Sequence, residues 1–365
     1  MKWSDLKLKR IDIYIIKQFL GTFIFALSGI IIIVTVFDIN ENIDKFIVPE
    51  ITLKEIIFDY YLNFIPYFTS MFASLFTFIA VIFFTSKLAD KSEIIAMLST
   101  GMSFSRLLVP YGISATIIAV IVYVLSAYII PPANEKRIDF QYAYIKKGQK
   151  VENATNVMLE VESGVYAYFG SYNSTSRMGR QFSLERFEDK TVVSKLTANS
   201  IKHDTLYKWI ITDYLIRDFD GMYEHITEGT YKDTTLMFIP ADFLISANDS
   251  EKMTSPELAR HIDRQKKRGI ANIQSFEIEY HKRIANAFSF FILTLIGVSL
   301  SSIKKKGGMG LNIGIGIGLS FSYILFMTIT SSFAISGLVS TMIASWIPNI
   351  IYIFIAIYLY RKAPR

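Results

Sequence analysis

Cysteine is absent from all 365 residues, which excludes disulfides, thiolate metal sites and cysteine nucleophiles together. Charge is scarce: 19% of residues are charged against 52% hydrophobic, too apolar a balance for an ordinary soluble protein. Histidine is limited to His203, His225, His261 and His281. None falls at H-E-x-x-H or any paired ligand spacing, so surface or interface roles account for them better than a metal site. No G-x-x-x-x-G-K-[ST] occurs, and the glycine-rich stretch 306–310 has no following GK, so the chain cannot by itself hold ATP in a P-loop. Ser301-x-x-Lys304 matches a nucleophile pattern only formally, because a helix end anchored by basic residues explains it better. These absences exclude a recognisable catalytic constellation and imply neither cofactor nor metal in this chain.

What is present is long apolar sequence. A transmembrane helix needs about 20 apolar residues to cross roughly 30 Å of hydrocarbon. Charge-free windows of that kind run from Phe19 to Phe37, Tyr60 to Ser86, Leu107 to Asn134 and Ile284 to Ile303. No charge then occurs between Lys306 and Arg361, a stretch that as one helix would be roughly 80 Å long. It must be two spans, at about 311–332 and 339–360, with Ser331, Ser332, Ser336, Gly337 and Ser340 as the hairpin. Six helices are therefore predicted, three on each side of a central soluble block. The first apolar stretch lacks a small-residue cleavage site and reads as a retained helix.

Charge placement orients them. Residues 134–280 hold 20 Lys+Arg against 22 Asp+Glu, and the remainder 18 against 10, so the excess positive charge belongs to membrane-flanking segments. A basic stripe on a folded domain, as nucleic-acid binding needs, is not evident. Basic residues in short loops resist translocation. Lys2, Lys7, Lys9, Arg10, Lys17, Lys87, Lys91, Arg106, Lys304–Lys306, Arg361, Lys362 and Arg365 fall on one side; Lys45 and Lys54, beside Asp38, Glu41, Asp44 and Glu50, fall on the other. Both termini are expected in the cytoplasm, with residues from about 134 to 280 on the far side.

That block alternates like β-sheet at Val157–Val161, Val165–Ser171, Phe182–Phe187, Thr191–Ile201, Leu206–Phe219 and Thr235–Ile239, which suggests a sandwich, jelly roll or barrel. Thr254, Pro256 and Glu257 then form a capped helix start, Gly269 ends a basic amphipathic run, and Asn272–Arg283 leads into the fourth span. The expected divisions are 1–133, with spans one to three and a cytoplasmic helical segment at about 87–107; 134–252, all-β and jelly-roll-like; 253–283, a helical connector; and 284–365, spans four to six.

Ser92-Glu93-Ile94-Ile95-Ala96-Met97-Leu98-Ser99-Thr100-Gly101-Met102-Ser103, followed by Arg106-Leu107-Leu108-Val109-Pro110, resembles the coupling-helix signature of the LptF/LptG permeases of lipopolysaccharide export. Met253-Thr254-Ser255-Pro256-Glu257-Leu258, His281-Lys282-Arg283, Gly307-Gly308 and Ser345-Trp346-Ile347-Pro348-Asn349 resemble further landmarks of that family in the same order. The resemblance implies a non-enzymatic permease subunit of the inner membrane. It would pair with a second such subunit, and a cytoplasmic ATPase dimer carrying ATP and Mg would drive both. Lipopolysaccharide would pass from the inner membrane to periplasmic jelly-roll bridge proteins. The sequence leaves open whether the subunit is F-type or G-type, and a structural or mechanotransmitting ABC-like protein that conducts no lipid is the alternative.

Particular residues take expected roles on this reading. Ile94, Ile95, Met97, Leu98 and Met102 can fill a groove on a partner, and the resemblance places the coupling glutamate at Glu93, within an ATPase-coupling set of Glu93, Ile94, Met97, Leu98, Gly101 and Arg106. A helix resting on lipid headgroups is the other reading. Gly310, Gly314 and Gly318, with Gly316 between, permit close helix approach, either inside this chain or, as the resemblance implies, at the subunit seam and lateral gate. Phe64, Phe68, Phe72 and Phe76 line one helix stripe, suited to packing, lipid or the substrate's acyl chains. Lys45, Lys136, Arg137, Lys282 and Arg283 lie near the far membrane boundary, where cations can pair with lipid phosphate or snorkel. Lys45, Phe68, Phe72, Lys136 and Arg137 form the expected substrate set.

Overall fold

The computed structural model describes residues 9–47, 51–145, 153–188, 191–240, 243, 247–267, 273–303 and 308–363. The chain divides into two compact units: Met1–Ile145 with Glu251–Ser255 and Glu277–Arg365, and Lys146–Ser250 with Pro256–Phe276.

The first unit is helical. Six helices are long and apolar enough to cross a membrane: α1 (Arg10–Phe46), α2 (Leu53–Asp90), α4 (Phe104–Ile145), α6 (Gln274–Ser301), α7 (Gly308–Ile335) and α8 (Thr341–Lys362). The short α3 (Glu93–Ser99) joins α2 to α4; α5 (Ser255–Lys267), which comes before α6 in the chain, belongs from Pro256 onward to the second unit. Lipid is as apolar as leucine, so packing and interhelical hydrogen bonds must hold these helices together. Both are present. One core gathers Ile15 and Phe19 of α1, Leu88 of α2, Ile94 and Met97 of α3, and Tyr111 of α4. A second joins Phe78 and Ile82 of α2 to Ile296, Tyr323 and Tyr352 of α6, α7 and α8. The Thr85 hydroxyl donates to Tyr111 Oη (2.9 Å), Asn312 Nδ2 to Ser86 Oγ (3.2 Å) and Asn349 Nδ2 to the Ala285 carbonyl (2.8 Å).

α4 runs 12 residues beyond the expected boundary at residue 133, so 134–145 are helical where the sequence reading begins the β-domain. Pro131-Pro132 would ordinarily end a helix, because proline has no N–H and its ring collides with the preceding turn. Here the π-helical turn Leu125–Ile129 directly before them widens the ladder, and the helix carries on. A second π turn precedes Pro66 in α2, at Ile56–Tyr61.

The second unit contains one antiparallel sheet in the order β1-β2-β3-β4-β5-β6: β1 (Asn153–Glu162), β2 (Val165–Asn173), β3 (Met178–Glu188), β4 (Thr191–Thr205), β5 (Lys208–Asp220) and β6 (Tyr223–Thr235). Among the described residues the sheet is an open meander. Its apolar face carries Leu159, Phe169, Phe182, Ile201 and Trp209, covered by Leu236, Phe238 and Phe243, and the Trp209 indole donates to the Phe238 carbonyl at 3.0 Å. The last strand expected, Thr235–Ile239, is this covering segment. β6 itself was missed because both its faces are exposed and nothing alternates; it is held by pairing with β5 from Asp220↔Tyr223 to Lys208↔Thr235.

Candidate functional site: a boundary cavity and a coupling face

At one end of the helical unit a cavity of about 300 Å³ opens between α2, α4, α6 and α7. Met71, Phe72, Ile324 and Met327 give it an apolar wall, while Asn134, Glu251, Glu279, Lys282 and Arg283 give it a charged one. The charged wall is internally braced. Buried Arg283 donates from Nε to Glu279 one turn back (2.9 Å) and from Nη1 to the Met253 carbonyl (3.0 Å) and Ser255 Oγ (3.1 Å). Asn134 reaches the Glu251 carboxylate at 3.4 Å and accepts from Arg137 Nε at 3.0 Å. The Arg137 guanidinium lies over the Tyr67 ring, 4.3 Å from its centroid, a cation–π contact that suits a desolvated arginine. Glu251 precedes the spanning part of α6. Burial holds its carboxyl above the ordinary carboxylate value and neighbouring Glu279 adds to that, against the pull of Lys282, Arg137 and Arg283. The site therefore joins an apolar slot to a wall of mixed charge, Glu251 and Glu279 against Lys282 and Arg283, the two-faced chemistry that an amphipathic ligand requires.

Of the expected substrate residues, Phe72 lines the cavity and Arg137 adjoins it through Asn134. Phe68 stacks between Phe64 and Phe72, with centroids 4.1 and 6.2 Å away. Lys136 is exposed on the neighbouring face of α4. Lys45 is exposed and donates to Asn42 Oδ1 at 3.1 Å. Sequence reasoning missed Glu279, Glu251, Asn134 and Tyr67. The Glu279/Arg283 spacing on one helix face was a usable signal; Glu251, in a short 3₁₀ turn, carried none.

At the other end, α3 is bracketed by two residues in left-handed conformation, Ser92 (φ 59°) and Gly101 (φ 84°). Ile94 and Met97 point into the chain's own core, leaving Ile95, Ala96 and Ser99 exposed with Glu93 and Leu98 half-buried. Arg106 forms a two-pronged ion pair with Asp12 of α1, Nη1 to Oδ1 at 2.9 Å and Nη2 to Oδ2 at 2.5 Å.

On α7, Gly310, Gly314 and Gly318 are exposed, and a Cβ at any of them would meet nothing within 4 Å. Gly316 faces inward, where a Cβ would stand 2.2 Å from Ile82 Cδ1. Among the described residues no group of three or more His, Asp or Glu side chains is placed to hold a metal.

The family model for the lipopolysaccharide export system permease LptF/LptG matches residues 13–362, nearly the whole chain. No curated protein matches the sequence.

Proposed function

The chain belongs to the LptF/LptG family of lipopolysaccharide export permeases, and from that premise we propose that it is one of two permease subunits driven by a separate cytoplasmic ATPase dimer. It is an integral inner-membrane transport component and not an enzyme. On the proposed reading it draws lipopolysaccharide out of the membrane's outer leaflet and passes it, by way of its sheet domain, to periplasmic jelly-roll bridge proteins.

The observation that carries this reading is the extent of the family match, which takes in all six spanning helices and the sheet between them. Three features support it. The cavity's Lys282, beside an Arg283 held by Glu279, suits lipid phosphate while Phe72 and Met327 suit acyl chains. The outward stripe Gly310, Gly314, Gly318 has no neighbour of its own and suits a second subunit's helix. The outward side of α3, with exposed Ile95 and half-buried Glu93 and Leu98, suits an ATPase groove.

The test is reconstitution of the chain with a partner permease and ATPase, carrying a photocrosslinking residue at Phe72. Conduction predicts lipopolysaccharide crosslinks at Phe72 that decline on ATP addition as lipid appears on a periplasmic acceptor. Release of lipid on ATP with no crosslink at Phe72 in any nucleotide state would leave this chain as a mechanotransmitting element and overturn its role as a conduit.

A further inference from the structure

α1 is a long helix held along one narrow stripe. Its buried residues are Asp12, Ile15, Phe19, Phe23, Leu27 and Ile31, three or four apart, and then Asn42; the rest of the helix is open or half-open. The stripe is apolar between two polar ends. At the Asn42 end, Asp38 accepts from Tyr60 Oη (3.1 Å) and Tyr61 Oη (3.0 Å) of α2. At the other end is Asp12, only 2% exposed, paired with Arg106, whose side chain is 15% exposed.

Local structure explains half of this pair. Asp12 stands at the third position of α1, accepts from the Lys9 backbone N–H at 2.7 Å, and puts negative charge where the helix dipole favours it. A cap needs only that contact, and caps ordinarily sit in solvent. Arg106 has no such local reason. It occupies the first turn of α4, directly after the Ser103 cap, where the dipole disfavours a cation. Its placement is explained by Asp12, 94 residues away in sequence. Arg106 also lies five residues beyond Gly101, the left-handed residue that ends α3, so the pair ties the segment bearing α3 to the start of α1.

We propose that Asp12 is a positioning residue for energy coupling: through its bidentate ion pair with Arg106 it fixes α1 to the α3 segment, so that displacement of α3 by an ATPase moves the first span. This rests on the permease reading above, and it assigns Arg106 to an internal latch instead of direct ATPase contact. A fixed point at this end of the stripe, beside Ile15, turns the apolar contact from one that can slide into a lever.

Two measurements test it. In the reconstituted complex, Asp12→Asn keeps the shape and removes the charge. It should leave ATPase association and hydrolysis in place while lipid released per ATP falls about tenfold, within the usual range of a coupling free energy between two sites. Arg106→Lys, which keeps charge but loses the fork, should lose less, and the swap Asp12→Arg with Arg106→Asp should recover coupling to within about threefold of wild type. Unchanged lipid per ATP in Asp12→Asn overturns the proposal. Independently, in the otherwise cysteine-free chain alone, spin labels at Ile24→Cys and Ser99→Cys should give a narrow distance distribution that broadens in Asp12→Asn. An unchanged distribution overturns the latch whatever transport shows. If Asp12→Asn broadens the distribution but the complex with the unsubstituted chain releases no lipid, the permease reading fails and the latch stands.

Discussion

Glu251 sits where its surroundings oppose its charge. Burial, reinforced by Glu279, holds its carboxyl above the ordinary 4.5. A folded-state value above the unfolded one means that the folded protein binds the proton more tightly. The associated stability is complete below about pH 4.5 and is lost as pH rises through the folded value. At neutral pH the ionised group therefore costs stability, and Glu251→Gln, which keeps the shape and an acceptor for Asn134, should raise the thermal midpoint of the detergent-solubilised chain at pH 7.5. The gain should shrink towards zero near pH 4.5, as followed by tryptophan fluorescence. A lower midpoint at pH 7.5 would mean that Lys282, Arg137 and Arg283 outweigh burial. No local pattern marks Glu251, because its partners Asn134 and Glu279 come from α4 and α6.

Within α7, identical residues have opposite surroundings, which makes the helix its own control. Gly316 touches α2 at Ile82, and Gly297 of α6 is as close to α2, a Cβ there falling 2.3 Å from Val81 Cγ1 and 3.2 Å from Phe78. Leucine at either position overpacks an existing contact, typically by about 1–3 kcal/mol. Gly316→Leu and Gly297→Leu should thus lower the thermal midpoint and the amount of inserted protein. Gly314→Leu and Gly318→Leu, which meet nothing in this chain, should insert and melt normally yet fail to co-purify with a partner permease. If all four variants behave alike, the outward stripe is not a seam. The glycine spacing was plain in the sequence, but which glycine faces inward was not, since 3.6-residue periodicity gives relative angles and no absolute direction.

For the whole molecule, the asymmetry of basic residues predicts one orientation, and the absence of native cysteine makes it simple to check. Ser99→Cys in α3 should react with a membrane-impermeant thiol reagent only after the inner membrane is opened. Met222→Cys, in the fully exposed turn between β5 and β6, should react from the periplasm in intact spheroplasts. The reverse pattern would invert the topology and place the sheet in the cytoplasm, which the proposed hand-off cannot accommodate.

The sequence by itself determined the number of spans, the side expected for each loop, and the division into a membrane part and a β-rich part. Those properties are sums over single residues: each apolar side chain favours the bilayer and each loop cation resists crossing, whatever its neighbours do. Only the tertiary structure decided that Asp12 meets Arg106, that Glu251 lies beside Glu279, that Ile94 and Met97 turn inward while Ile95 does not, and that the polar β6 is a strand at all. Each of these depends on a pair of groups far apart in the chain, and its energy exists only once packing brings the two together.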